Sequence, residues 1–314
     1  MSQRNNAIHY LLLITAIAFW GLSFVFTKEL LNNILPIQLI FCRMVIAATL
    51  LSLICVIHFR QRLRDIPLKD WLNLLALSFF EPFLYFLFET YSLSYADPTV
   101  VSVIVSTIPL FTVFLSLFYF KERLNFLNIS GVFVSVIGIV IMLLPEWSNA
   151  DFQWRGILLA FGAVMASVGY SFFIRKLADK YNPVFIVSFQ NTVGIVLFLP
   201  LFLYELTGEG AAVTFLSALA SPDVMFNVLM LAVLCSSLAF VFYVIALRRM
   251  GLARANTFTN LIPVVTAIAA FFIVHEHFSF HKIIGTIVVI AGVFFVQKKP
   301  TGQLLNENRD GTKK

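Results

Sequence analysis

PLFTVFLSLFYFKERLNFLNISGVFVSVIG, residues 109–138, returns at 263–292 as PVVTAIAAFFIVHEHFSFHKIIGTIVVIAG. Four sites match at one offset of 154 (263 − 109): Pro109 with Pro263, Glu122 with Glu276, Gly131 with Gly285 and Gly138 with Gly292. Prolines, glycines and glutamates shape helices or are rare in apolar sequence, so their return at a constant spacing marks one structural unit written twice. The earlier parts of the two copies match at an offset of 148 (169 − 21), through Gly21/Gly169, Ser23/Ser171, Phe24/Phe172 and Lys28/Lys176. The drift from 148 to 154 implies about six residues inserted in the second copy, and the Gly- and Ala-rich stretch from Thr207 to Pro222 is the expected place.

The sequence around this echo is apolar. The 314 residues are 60% hydrophobic and 12% charged, with 35 Phe, and the mean hydropathy is +0.91. Such a chain has too little polar surface to dissolve as a monomer and reads as an integral membrane protein. Ten apolar runs approach the roughly 20 residues that cross a hydrocarbon core: about 8–27, 34–57, 70–91, 97–119, 125–144, 154–174, 183–204, 224–246, 252–274 and 279–296. Helices are expected, because lipid cannot satisfy open backbone groups and the alternation of barrel strands is absent.

Charge orients the runs. With the N-terminus inside, eighteen basic residues collect in the cytoplasmic segments, among them Arg60, Arg62, Arg64, Lys121, Arg123 and Arg254, whereas only Lys28, Arg155 and Lys282 face the other side. The positive-inside rule places both termini in the cytoplasm. The net charge of +6 follows from these scattered loops and needs no nucleic acid. Cys42, Cys55 and Cys235 all fall within runs and read as small buried hydrophobes. His275, Glu276, His277 and His281 miss the HExxH spacing, so no metal site is expected. No glycine loop for phosphate and no nucleophile with its base appears, so no cofactor and no enzyme activity are expected. The first run is read as a retained helix, and residues 298–314 as a disordered cytoplasmic tail.

Each copy holds five runs, an odd number, so the second copy enters the membrane from the opposite side. The expected fold is an all-α integral membrane protein of ten transmembrane helices in two inverted five-helix repeats, 8–147 and 154–297.

The opening AFWGLSFVFTK, the spacing of Pro36, Arg43 and Ala47, and the run from Tyr95 to Ile141 resemble EamA-type members of the drug/metabolite transporter superfamily. The resemblance covers nearly the whole chain in both copies. It implies that the fifth and tenth helices are peripheral and that the other eight surround a central cavity. It also implies alternating access for small organic solutes such as amino acids, metabolites or drugs.

The residues give their own candidates. Ionisable groups in hydrocarbon are costly and therefore functional by default. Arg43 in the second run and Glu81 and Glu89 in the third qualify. The two glutamates are eight residues apart with Tyr85 midway, so all three can share a helix face. Either Arg43 pairs with a glutamate to fix packing, or Arg43 binds a substrate carboxylate and a glutamate exchanges protons. At the 154 offset Ser102 and Ser106 correspond to Asn256 and Asn260, and Glu89 corresponds to Tyr243. These suggest either a midplane site at the repeat interface or interhelical hydrogen bonding. Arg43 falls opposite Gln190 or Asn191, which makes the expected cavity asymmetric in charge. Trp20 lies about twelve residues into the first run, roughly 18 Å along the axis, and is expected in the cavity or the core, unlike Trp71, Trp147 and Trp154 at run edges.

Pro109 and Pro263 are expected within helices, freeing the carbonyls of Val105 and Thr259, as hinges or static bends. Glu122 and Glu276 are expected to cap the helix that follows each, and Gly131, Ser135 and Gly138 with Gly285 and Gly292 to form close-packing strips. The functional expectation is a secondary carrier exporting small organic metabolites, amino acids or related compounds, across the cell membrane. The proton is the candidate coupling ion, the bilayer the partner, and the assembly a monomer or homodimer. Alternatives are a multidrug exporter, a nutrient importer and, from another class, a membrane-embedded enzyme or receptor.

Overall fold

The structure, a computed structural model, describes residues 3–58, 66–112, 126–144, 154–208, 210–251, 255, 258–277 and 279–296. Glu122, Trp147, Asn256, the tail at 298–314 and the basic residues Arg60, Arg62, Arg64, Lys121, Arg123 and Arg254 lie outside the described residues. Among the described residues every regular element is a helix. We number these α1 (Gln3–Leu30), α2 (Pro36–His58), α3 (Leu68–Tyr95), α4 (Pro98–Thr112), α5 (Phe126–Leu143), α6 (Trp154–Leu177), α7 (Pro183–Glu205), α8 (Ala211–Ala220), α9 (Pro222–Met250), α10 (Thr259–Ile273) and α11 (Phe280–Val296). Six of them, α1, α2, α3, α6, α7 and α9, are long and apolar enough to cross a membrane, and the other five are shorter apolar helices.

Proline sets many of the starts. Pro98, Pro183 and Pro222 occupy first turns, where the missing N–H has no partner to lose. Asn182 caps α7 by accepting the Val184 N–H at 2.8 Å. The stretch from Thr207 to Pro222, the expected place of the inserted residues, holds α8. Gly210 launches this helix at φ 74°, a conformation that glycine adopts without strain. Its Phe215 is buried against Phe202, with ring centroids 5.6 Å apart.

Helices α5 and α11 form a seam built from the echoed glycines. A Cβ on Gly138 would lie 2.9 Å from the Gly285 carbonyl oxygen, and one on Gly292 would lie 2.7 Å from that of Gly131. Gly131 therefore faces Gly292 while Gly138 faces Gly285, and the two helices run antiparallel. The Ser135 hydroxyl, midway along, donates to the Val289 carbonyl at 3.4 Å. Small residues let the backbones approach, and dispersion between them holds the pair where lipid offers no hydrophobic drive.

Another contact also recurs. The C-terminal part of α3 packs on α6, and the C-terminal part of α9 packs on α1. Because α6 repeats α1 and α9 repeats α3, one contact is made twice. Helices α2 and α7, also counterparts, pack on each other, and the hydroxyls of Ser52 and Ser188 share a hydrogen bond of 2.9 Å there. These pairings leave a cavity between the two halves.

Candidate functional site

Helices α3 and α9, counterparts in the repeat, depart from α geometry at matching places. In α3 the backbone widens over Phe79–Leu84 and Glu81 is extended, at φ −148° and ψ 117°, before a cis peptide to Pro82. Pro82 has no N–H for the helical ladder. In α9 the widened segment is Leu231–Leu238. There the hydroxyls of Ser236 and Ser237 donate to carbonyls five residues back, Leu231 at 3.1 Å and Ala232 at 2.9 Å. Ser236 stands 154 residues after Pro82, so both halves carry a π-type distortion at the same place, a feature frequent at functional sites.

Beside the widened part of α3, whose Glu81 lines it, lies a cavity with about 690 Å³ of empty space, open solvent at its mouth included. Much of its wall consists of repeat-related pairs. Phe86 with Phe240, Val105 with Thr259 and Ile108 with Ile262 line it at the 154 offset, and Ser23 with Ser171 at the 148 offset. Glu89 faces it from one half and Tyr243 from the other.

Charge breaks the symmetry. Arg43, Glu81 and Glu89 all line the cavity, with relative exposures of 1%, 5% and 1%. No ion pair joins Arg43 to either glutamate among the described residues. Arg43 Nε donates instead to Ser236 Oγ at 2.9 Å, and the guanidinium lies over the Phe86 ring, 4.0 Å from its centroid. Its Nη1 is buried without a hydrogen-bond partner, as are Trp20 Nε1 and the Tyr170 hydroxyl, two further groups of the cavity wall. Glu89 accepts only a long 3.4 Å bond from Thr90 Oγ1. Unpartnered buried donors beside unpaired buried charges are costly in a packed core. Tyr85 lines the same wall, so the three residues set on one face by sequence spacing do share it, although α3 is broken at Glu81.

Trp20 packs on Phe240 at 5.1 Å and on Tyr243 at 5.0 Å, placing its indole in the aromatic wall. Other candidates sit elsewhere. Ser102 and Ser106 donate to carbonyls on their own helix, Thr99 at 2.9 Å and Val103 at 2.7 Å, and are not among the residues that line this cavity. Asn260, whose buried amide atoms have no partner, is also not among them. Asn191 donates to the Val187 carbonyl at 2.8 Å and the Ser236 carbonyl at 3.4 Å, and the side-chain Oε1 of Gln190 is buried unpartnered. Arg43 and its counterpart Asn191 thus meet on one residue, Ser236, but only the longer arginine side chain continues to the cavity.

Both prolines follow a break within α4 and α10. A turn at Ser106–Thr107 precedes Pro109, and a 3-10 turn at Thr259–Leu261 precedes Pro263 in the first turn of Ile262–Ile273. Each chain breaks before its proline, and the Thr259 carbonyl, freed from the α ladder, accepts the Ile262 N–H. Glu276 caps a helix other than the one that follows it. Its Oε2 accepts from Thr99 N at 3.3 Å and Thr99 Oγ1 at 2.9 Å, at the start of α4 in the opposite half. Ser279 takes the role at α11, accepting the Lys282 N–H at 3.2 Å.

Lys282 Nζ bridges Glu276 Oε1 at 3.3 Å and Asp97 Oδ2. Lys28 Nζ closes the C-terminus of α3 through the Leu93 and Ala96 carbonyls, at 2.8 and 3.2 Å. Burial pushes the Glu276 carboxyl above the usual carboxylate range; Lys282 opposes this and Asp97 adds to it. A smaller cluster ties the start of α3 to the α6–α7 loop, where Asp70 accepts from Lys180 at 3.0 Å and from the Tyr181 hydroxyl at 2.8 Å. No group of three or more metal-ligating side chains occurs among the described residues.

Sequence reasoning missed Tyr170, Phe86 and Phe240, and named Ser23 and Ser171 only as a repeat match. For the phenylalanines the 154 offset itself was a usable signal.

The sequence model of the EamA-like transporter family matches residues 7–144 and again 154–297. An uncharacterized transporter of Archaeoglobus fulgidus is 24% identical over 290 residues, covering 92% of this chain and 99% of the relative. A protein of Escherichia coli (strain K12) named as a probable amino-acid metabolite efflux pump is 22% identical, over 94% of this chain and 95% of its own. One solved crystal structure superimposes with a TM-score of 0.60 at 18% identity, over 92% of this chain and 97% of that one, and shows the fold alone. The two halves of the family match meet around the cavity just described, and the chain, a multi-pass membrane transporter and not an enzyme, belongs to the EamA-like transporter family.

Proposed function

We propose that this chain is a secondary carrier that exports small organic metabolites, amino acids or related compounds, across the cell membrane by alternating access. One observation carries the reading: one cavity, walled by repeat-related residues, holds the buried Arg43, Glu81 and Glu89 without pairing them. A cation and carboxylates held apart in apolar surroundings suit a small solute bearing both kinds of charge. In this reading the ten spans form two inverted halves, 8–147 and 154–297, with both termini cytoplasmic. The antiparallel glycine seam of α5 and α11 supports it, since a helix meets its own copy through the same residues only about a two-fold axis. The Escherichia coli relative supports the solute class by its name.

Flux in proteoliposomes tests the proposal. Saturable movement of an amino acid or related metabolite, competed by others of its class, is expected, and an imposed pH gradient shows whether protons are exchanged. Saturable flux of apolar drugs alone makes the chain a multidrug carrier, and absence of saturable flux across an amino-acid, metabolite and drug panel refutes the carrier.

A further inference from the structure

The charged groups along the cavity do not balance. With its carboxyls ionised the cavity holds one positive charge, on Arg43, and two negative ones, on Glu81 and Glu89, and among the described residues no other Lys, Arg, Asp, Glu or His lines the wall. Buried charge is tolerated when it is matched, so the occupant that neutralises the cavity brings one net positive charge. Arg43 Nη1 and the Tyr170 hydroxyl are buried in this wall without a hydrogen-bond partner. Tyr170 and Tyr243 line the cavity with the two carboxylates, and aromatic rings beside a carboxylate suit an ammonium through charge and ring faces. The apolar faces of Phe86 and Phe240 lie along the same wall.

We infer that the cavity is built for a diamino acid: an α-amino acid carrying a second ammonium on an aliphatic chain, such as lysine or ornithine, with one net positive charge. Its carboxylate meets Arg43 Nη1, its α-ammonium meets Glu89, and its distal ammonium reaches Glu81 between Tyr170 and Tyr243. Its methylenes cover the phenylalanine faces. A neutral amino acid leaves Glu81 unmatched, a diamine without a carboxylate leaves Arg43 unmatched, and an acidic amino acid brings a negative charge where a positive one is needed.

The inference rests on the carrier reading and is tested by competition in proteoliposomes loaded with labelled lysine, using ornithine, leucine, phenylalanine, glutamate and cadaverine as competitors. Lysine and ornithine are expected to bind about tenfold more tightly than leucine, phenylalanine or cadaverine, since truncating one side of a buried charge pair typically loses at least that. The variant Glu81→Gln removes one negative charge with little change of shape. It is expected to lose about tenfold for lysine while keeping or gaining affinity for leucine. Saturable transport of neutral amino acids in preference to lysine by the wild type overturns the inference and leaves the carrier reading intact. So does an equal loss for lysine and leucine in Glu81→Gln. Absence of saturable flux with any amino acid overturns the inference together with the amino-acid reading on which it rests. The wild-type competition series decides the matter even where the variant fails to fold.

Discussion

Phe86 and Phe240 hold equivalent places in the two halves and touch each other, their ring centroids 6.2 Å apart and their planes at 90°. Both rings line the cavity, so this contact joins the two halves within its wall. The two rings have different second partners. Phe86 lies under the Arg43 guanidinium, and Phe240 packs on Trp20. Phe86→Ala is therefore expected to weaken carboxylate-bearing solutes, because a buried cation–π contact is worth about 2 kcal/mol. Phe240→Ala is expected to weaken carboxylate-bearing and carboxylate-free solutes alike. Apparent affinities of each variant for an amino acid and its decarboxylated amine check this, and equal selectivity in the two variants contradicts it.

Ser236 orients Arg43. Its hydroxyl accepts the Arg43 Nε–H and is itself held by the π-type turn of α9. Ser236→Ala leaves that buried Nε–H without a partner, a penalty of about 1–3 kcal/mol. Reduced apparent affinity for carboxylate solutes, with maximal flux little changed, is the expected outcome. Arg43→Ala removes the cation and is expected to exceed this loss; unchanged affinity for an anionic group takes Arg43 out of substrate binding.

Arg43, Glu81 and Glu89 were legible in the sequence because an ionisable residue in an apolar run needs a reason to be there. The glycines were legible because they recur at one offset within apolar surroundings. Ser102 and Ser106 stay outside the lining of this cavity because helical spacing tells which residues share a face but not where that face points, and each serine satisfies itself on its own helix. Phe86 and Phe240 were hidden by abundance, since one Phe among 35 carries no signal by type. Glu276 was read through its chain neighbours, whereas its partner Thr99 lies 177 residues away. The distortion of α9 left no proline to betray it, although Pro82 marked its counterpart.

The seam between α5 and α11 is expected to tolerate no added methyl group at Gly138. A Cβ there would come within 2.6 Å of the Val289 backbone nitrogen and 2.9 Å of the Gly285 carbonyl oxygen. These are backbone atoms that cannot swing aside, so Gly138→Ala must push the helices apart. Overpacking of this kind costs about 1–3 kcal/mol. A lowered melting temperature in detergent is expected, with solute selectivity unchanged because neither helix lines the cavity. An unaltered melting temperature contradicts the close approach.

The cluster at Glu276 gives stability a pH dependence of definite sign. Burial raises this carboxyl above its ordinary value, so the folded protein holds the proton more tightly than the unfolded chain does. Its contribution is fully present below the ordinary carboxylate range and is lost as pH rises through the raised folded value. Glu276→Gln, which stays neutral throughout and still accepts the Thr99 bonds, lacks that loss. Melting temperatures of the two proteins, measured in detergent from about pH 4.5 to about pH 8, are thus expected to diverge with rising pH, the wild type falling relative to the variant. The opposite trend, a wild type that gains on the variant as pH rises, means that Lys282 outweighs burial and that the cluster is an ion-pair latch joining the start of α4 to the start of α11.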